Sequence, residues 1–125
     1  MECYFGSFDR DYQGEDDHKK LVCFAIPEAG ISFKAPFAGG NLHTEYASLL
    51  TLLEFVEMNT KIFDGKDLKL FNNNLDLISQ VNQKAACMFE YSELLSKALE
   101  YKSKYSFTLN WVPREDNPAV RSLFD

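Results

Sequence analysis

The chain lacks a long hydrophobic run and any pattern of paired cysteines, and each absence argues against a class of protein. No apolar stretch approaches the ~20 residues that a membrane-spanning helix requires. The three cysteines, Cys3, Cys23 and Cys87, form no CxxC pair and lie among apolar residues, which predicts buried, reduced thiols in a cytoplasmic protein. The N-terminal residues have neither a basic start nor an apolar core, so we expect no signal peptide.

Positive charge is also scarce. The chain has 19 acidic and 13 basic residues, for a net charge of −6. Nucleic-acid affinity depends largely on neutralising phosphates, so an acidic chain starts at a disadvantage for that role. No local basic patch is evident in the sequence. The charge therefore favours a protein partner, with nucleic acid as the alternative.

The composition is that of a packed protein. The 125 residues are 46% hydrophobic and 14% aromatic, which excludes a disordered or fibrous chain. No repeat, linker or low-complexity stretch divides the sequence. We therefore expect a single domain over residues 1–125.

The hydrophobic pattern predicts strands and helices in a definite order. Strands are expected at residues 2–8, 20–26, 31–37, 67–71 and 107–111. Helices are expected from Leu42, after the Asn72–Asn74 run, at about 90–104, and from Asn117 with Pro118 at the first helical position. The order βββ-α-β-α-α-β-α predicts an α/β fold with a mixed five-stranded sheet, three antiparallel strands and then two parallel ones, flanked by helices. If the last strand is central, Trp111 is buried and Trp111→Ala would cost ~3–5 kcal/mol.

This order, together with three local stretches, resembles the ribonuclease H family over essentially the whole chain. The stretches are Asn41–Leu50 (NLHTEYASLL), Leu68–Asn74 (LKLFNNN) and Trp111–Asn117 (WVPREDN). The resemblance implies a compact ribonuclease H-like fold without the family's basic protrusion. It also implies an ancestry among enzymes that cleave the RNA strand of RNA–DNA hybrids with two divalent metals held by four carboxylates.

Residue by residue, the resemblance leaves one of those four carboxylates. Glu45 matches the family's Glu, whereas Phe5, Asn73 and Arg121 take the places of the three Asp residues. Two dications ~3.5–4 Å apart need several converging carboxylates. The sequence therefore predicts that no metal is bound, with Glu45 as the ligand if there is one. The remaining cleft is expected to contain Ser7, His43, Asn73, Asn117 and Arg121.

Three environments are possible for the Glu45 carboxylate. Glu45 borders the apolar stripe of its helix, and a carboxylate in such a place usually finds a cation, so we expect an ion pair with Arg121. Glu45 could instead be solvated in the cleft, or could bind a single metal ion.

We interpret the sequence as a ribonuclease H-like domain with a degraded metal site, a non-catalytic module that binds a protein or a nucleic acid. The alternative is a metal-dependent hybrid ribonuclease, with Mg²⁺ or Mn²⁺, whose missing carboxylates come from Asp9, Asp11 or Asp76. An Arg121 side chain directed at Glu45 would argue against that enzyme.

Overall fold

The computed structural model describes residues 1–9 and 20–121. It contains five strands: β1 (Glu2–Asp9), β2 (Lys20–Ile26), β3 (Ile31–Phe37), β4 (Lys69–Asn72) and β5 (Thr108–Trp111). The helices are α1 (Asn41–Met58), the short α2 (Thr60–Phe63), α3 (Leu75–Val81) and α4 (Ser92–Tyr105).

The strands form one mixed sheet in the order β3-β2-β1-β4-β5. β1 and β2 are antiparallel, as are β2 and β3, while β4 runs parallel to both β1 and β5. Parallel strands need a crossover between them, and the helices supply it. The predicted α/β fold and its mixed five-stranded sheet are confirmed.

The main core lies between the sheet and α1. The helix buries an apolar stripe that includes Tyr46, Leu49, Leu52, Leu53 and Val56, all at the helical spacing of the sequence. Phe5 and Leu70, from the central strands, pack into the same cluster. This packing fixes the position of α1 over the strands β1 and β2.

Local signals in the sequence account for where several elements begin and end. Asn74 caps α3, because its side-chain oxygen accepts a hydrogen bond from the Leu77 N–H at 3.0 Å. α4 begins at Ser92, after a 3₁₀ turn at Phe89–Tyr91, rather than at residue 90. The helix expected from Asn117 is a turn over residues 118–120, and the rest of that prediction lies outside the described residues.

The condition under which Trp111 would be buried, a central last strand, is not met. β5 is an edge strand, and 51% of the surface of Trp111 is exposed. An edge strand has a neighbouring strand on one side only, so a side chain at its end has fewer residues around it to bury it.

The thiols follow the sequence prediction in part. All three cysteines are unpaired, and Cys3 and Cys23 are buried. Burial raises the pKa of the Cys23 thiol to about 11. Cys87 is only half-buried.

No helix in the described part of the chain has the length and apolar character needed to span a membrane.

The exposure of Trp111 makes a testable prediction. Trp111→Ala should lower the free energy of unfolding by about 1 kcal/mol, because a half-exposed ring contributes roughly half of the ~1.5–3 kcal/mol of a fully buried side chain. Leu49→Ala, which leaves a cavity in the core, should cost ~2–5 kcal/mol. Urea unfolding of both variants measures the difference, and a larger loss for Trp111→Ala would contradict the edge position of β5.

Candidate functional site

Glu45 lies at the point where α1 crosses the ends of β1 and β4. Its surface is only 4% exposed. The register places Tyr4 opposite Phe71, so Phe5 and Asn72 follow as neighbours in the parallel pair of strands. The buried carboxylate therefore faces backbone and side-chain groups of two central strands.

Both oxygens of Glu45 accept hydrogen bonds from uncharged groups. Oε1 accepts from the Ser7 Oγ at 2.8 Å and from the Ser7 N–H at 3.2 Å. Oε2 accepts from the Asn72 Nδ2 at 2.8 Å. These distances are typical of good hydrogen bonds, so the carboxylate is held by Ser7 and Asn72.

Asn72 is the site residue that the sequence interpretation missed. Its Nδ2 also donates to the Phe5 carbonyl at 3.0 Å, and its Oδ1 accepts from the Asn74 N–H at 2.7 Å. The strand alternation offered a signal, since Asn72 shares a strand face with the buried Leu70. The structure thus places Asn72, rather than Asn73, against Glu45.

Asn73 and Asn117 form a second amide contact beside the first. The Asn117 Nδ2 donates to the Asn73 Oδ1 at 3.0 Å and to the Phe5 carbonyl at 2.9 Å. The Asn117 Oδ1 accepts from the Ala119 N–H at 3.0 Å. The Phe5 carbonyl therefore accepts from two side-chain amides, which joins β1 to β4 and to the chain after β5.

Gly6 lies where the chain segment that contains Asn117 and Val120 packs against β1. A Cβ atom built on Gly6 would lie 2.8 Å from the Val120 Cγ1, and 3.5 Å from the Asn73 Oδ1. A side chain there would force the turn at 118–120 away from the sheet.

The expected ion pair between Arg121 and Glu45 does not form. Arg121 is exposed, and its backbone carbonyl accepts a hydrogen bond from the Lys34 Nζ at 3.3 Å. Glu45 needs no guanidinium contact because Ser7 and Asn72 already donate to both of its oxygens. Among the described residues, Arg114 is the cation whose charge lowers the pKa of Glu45.

The side chains of His43 and Phe5 take no part in these hydrogen bonds. The His43 ring is exposed and packs edge-on against Phe37, with ring centroids 5.0 Å apart. It borders a groove with Tyr91 and Leu94, away from Glu45. The Phe5 ring is completely buried in the main core.

Burial raises the pKa of Glu45 above its ordinary value of 4.5. Loss of hydration disfavours the charged form. The hydrogen bonds from Asn72 and Ser7, and the charge of Arg114, oppose this effect without cancelling it.

Comparisons with known proteins identify the fold. Neither a protein-family model nor a curated protein sequence matches the chain. Among solved structures, ribonuclease H1 of the halophilic archaeon Halobacterium salinarum superposes with a TM-score of 0.73 at 17% identity, over 95% of this chain and 89% of that one. LC11-RNase H1 in complex with an RNA/DNA hybrid gives 0.71 at 18%, over 94% and 88%. The N-terminal RNase H domain of a Mycobacterium tuberculosis protein gives 0.69 at 12%, over 96% and 93%.

The chain has a ribonuclease H-like fold. This confirms the resemblance found in the sequence at the level of the fold. Identities of 12–18% do not extend it to activity.

The residues at this place in the ribonuclease H-like fold do not fit a pair of divalent metals. In residues 1–9 and 20–121, no three His, Cys, Asp or Glu side chains come together as a metal-binding group. Glu45 is a single carboxylate whose oxygens already accept hydrogen bonds, and the neighbouring Phe5 side chain offers no ligand atom. A two-metal centre needs several converging carboxylates.

Two of the three carboxylates proposed to rebuild the site, Asp9 and Asp76, do not converge on Glu45. Asp9 forms an ion pair with Lys20 at 2.5 Å, and its side chain is 76% exposed. Asp76 is exposed in the first turn of α3. Asp11 lies outside the described residues.

The hydrogen bonds to Glu45 predict a specific loss of stability. Glu45→Ala should lower the free energy of unfolding by ~1–3 kcal/mol, because the donors of Ser7 and Asn72 lose their acceptor in a buried place. Glu54→Ala, an exposed Glu on the same helix, is the matched control and should change it by less than ~0.5 kcal/mol. Thermal or urea unfolding measures both, and equal values for the two variants would contradict the buried role of Glu45.

The pKa of Glu45 predicts how stability depends on pH. Because the folded-state pKa is raised, the folded chain takes up this proton more readily than the unfolded chain does. The stability of the wild type relative to Glu45→Gln should therefore be highest below the unfolded-state pKa of about 4.5, and should fall as the pH rises through the folded-state pKa.

Urea unfolding of the two proteins between pH 4 and 7 measures this difference, since the other titrating groups are shared. A carboxylate paired with an arginine would have a lowered pKa and would give the opposite slope. The opposite slope would therefore support the ion pair instead.

Proposed function

We propose that this chain is a non-catalytic binding module with a ribonuclease H-like fold. The observation that carries the proposal is the state of Glu45, whose two oxygens are engaged by Ser7 and Asn72. These bonds hold two strands and a helix together. A two-metal centre needs several converging carboxylates, and among the described residues no group of three His, Cys, Asp or Glu side chains forms around Glu45.

The surroundings of Glu45 support the same conclusion. Phe5 puts an aromatic ring, and Asn72 a neutral amide, at the ends of the two central strands. Neither group offsets the charge of a dication as a carboxylate would. The cation that acts on Glu45 is the side chain of Arg114, and a fixed positive charge repels a metal ion.

The net charge bears on the partner. At −6 the chain repels a long polyanion at moderate salt concentration, which favours a protein or a short ligand over an extended nucleic acid. The proposed role is recognition through the cleft beside β1, without hydrolysis of what is bound there.

A cleavage assay tests the absence of hydrolysis. A labelled RNA–DNA hybrid is incubated with excess protein in Mn²⁺, with wild type beside Glu45→Gln and an active ribonuclease H as the positive control. We expect no cleavage by either form of this chain, because a single engaged carboxylate does not assemble a two-metal centre. Cleavage by the wild type that disappears in Glu45→Gln would overturn the proposal.

A further inference from the structure

Cationic side chains from three separate segments gather at the end of β1. Arg114, Val120 and Arg121 line an open cleft of about 490 Å³, together with Glu115. Lys34, from the edge strand β3, contacts the Arg121 carbonyl with its Nζ at 3.3 Å. We call the three positive residues Lys34, Arg114 and Arg121 with this opening the cationic cleft.

The strands place two of the three cations. Lys34 lies opposite Cys23 in the β2–β3 register, and its ammonium group lies 4.8 Å above the centre of the Phe8 ring. Arg114 also approaches β1, with its Nη1 3.5 Å from the Ser7 carbonyl oxygen. Both charges are therefore held close to the last residues of β1.

Their electric fields overlap at a buried group. Lys34 and Arg114 each act to lower the pKa of the Cys23 thiol, since both positive charges favour the thiolate. Arg114 also acts on Glu45. Both positive charges therefore act at this end of the sheet, although the whole chain is acidic and the Glu45 carboxylate acts on Cys23 in the opposite direction.

The three cations form no ion pair with another described residue. Within the described residues, the ion pairs join Lys20 to Asp9 and Lys104 to Glu57, and neither contains a residue of the cationic cleft. Glu115 is the one carboxylate among the described residues that line the cleft, beside the two cations Arg114 and Arg121. The opening is also large enough for a small ligand.

We propose that the cationic cleft binds a single phosphate group directly, with no metal ion between protein and ligand. Guanidinium groups match phosphate oxygens with paired, charge-assisted hydrogen bonds, and an ammonium group adds a third charge. A single phosphate meets the local positive charge without bringing a long polyanion against the acidic remainder of the surface. This inference rests on the proposed non-catalytic function. That function is binding without hydrolysis, and the inference names the chemical group that is bound.

Calorimetric titration with inorganic phosphate in EDTA and low salt tests the proposal, because EDTA removes any bridging metal. We expect saturable binding near 1 mM. Arg114→Gln and Arg121→Gln should each weaken binding about tenfold, as loss of a charge-assisted hydrogen bond predicts. Lys66→Gln, an exposed cation in the turn after α2, is the matched control and should leave the affinity unchanged.

Adenosine 5′-monophosphate serves as a second probe and separates two sources of the phosphate. Equal affinity for both probes indicates that the protein recognises the phosphate alone. Tighter binding of the nucleotide indicates further contacts to the nucleoside. Either result supports the proposed site if Arg114→Gln and Arg121→Gln weaken the binding. No saturable binding, or equal binding by wild type and both arginine variants, would overturn the inference. Such a failure would leave the cleavage assay unaffected, since that assay depends on Glu45 and Mn²⁺.

Discussion

The hydrogen bonds between the buried Glu45 carboxylate and its two partners, Ser7 and Asn72, are the interaction on which this end of the fold depends. They join α1 to β1 and β4 at the centre of the sheet. Burying a carboxylate destabilises the folded state unless its oxygens accept hydrogen bonds, so removal of either donor should lower the free energy of unfolding. The one carboxylate at this place thus has a structural role in the fold.

A second set of amides extends this arrangement to the chain after β5. The Phe5 carbonyl accepts from Asn72 and Asn117, and Asn117 also contacts Asn73. Gly6 lets Val120 approach β1 closely. Neutral amides and a buried ring thus surround the one carboxylate, while the nearby positive charges of Arg114, Arg121 and Lys34 favour an anionic ligand over a cationic one.

The sequence predicted most of the fold because its hydrophobic periods changed where the elements change. Strand alternation and the apolar stripe of α1 depend on local spacing, which a sequence displays directly. The side chain that meets Glu45 depends instead on strand register and on hydrogen bonds between distant residues. For that reason the sequence interpretation chose Asn73 instead of Asn72 and placed Arg121 against Glu45, and it left open whether the last strand, with Trp111, is central or at the edge.

The most direct test of the central claim is the effect of Mn²⁺ on thermal unfolding, with wild type beside Glu45→Gln. A ligand that binds only the folded state raises the melting temperature in proportion to its affinity and concentration. Because no group of metal-binding side chains forms around Glu45 among the described residues, we expect Mn²⁺ to shift both proteins equally or to shift neither. Stabilisation of the wild type alone would show that Glu45 binds metal and would contradict the account.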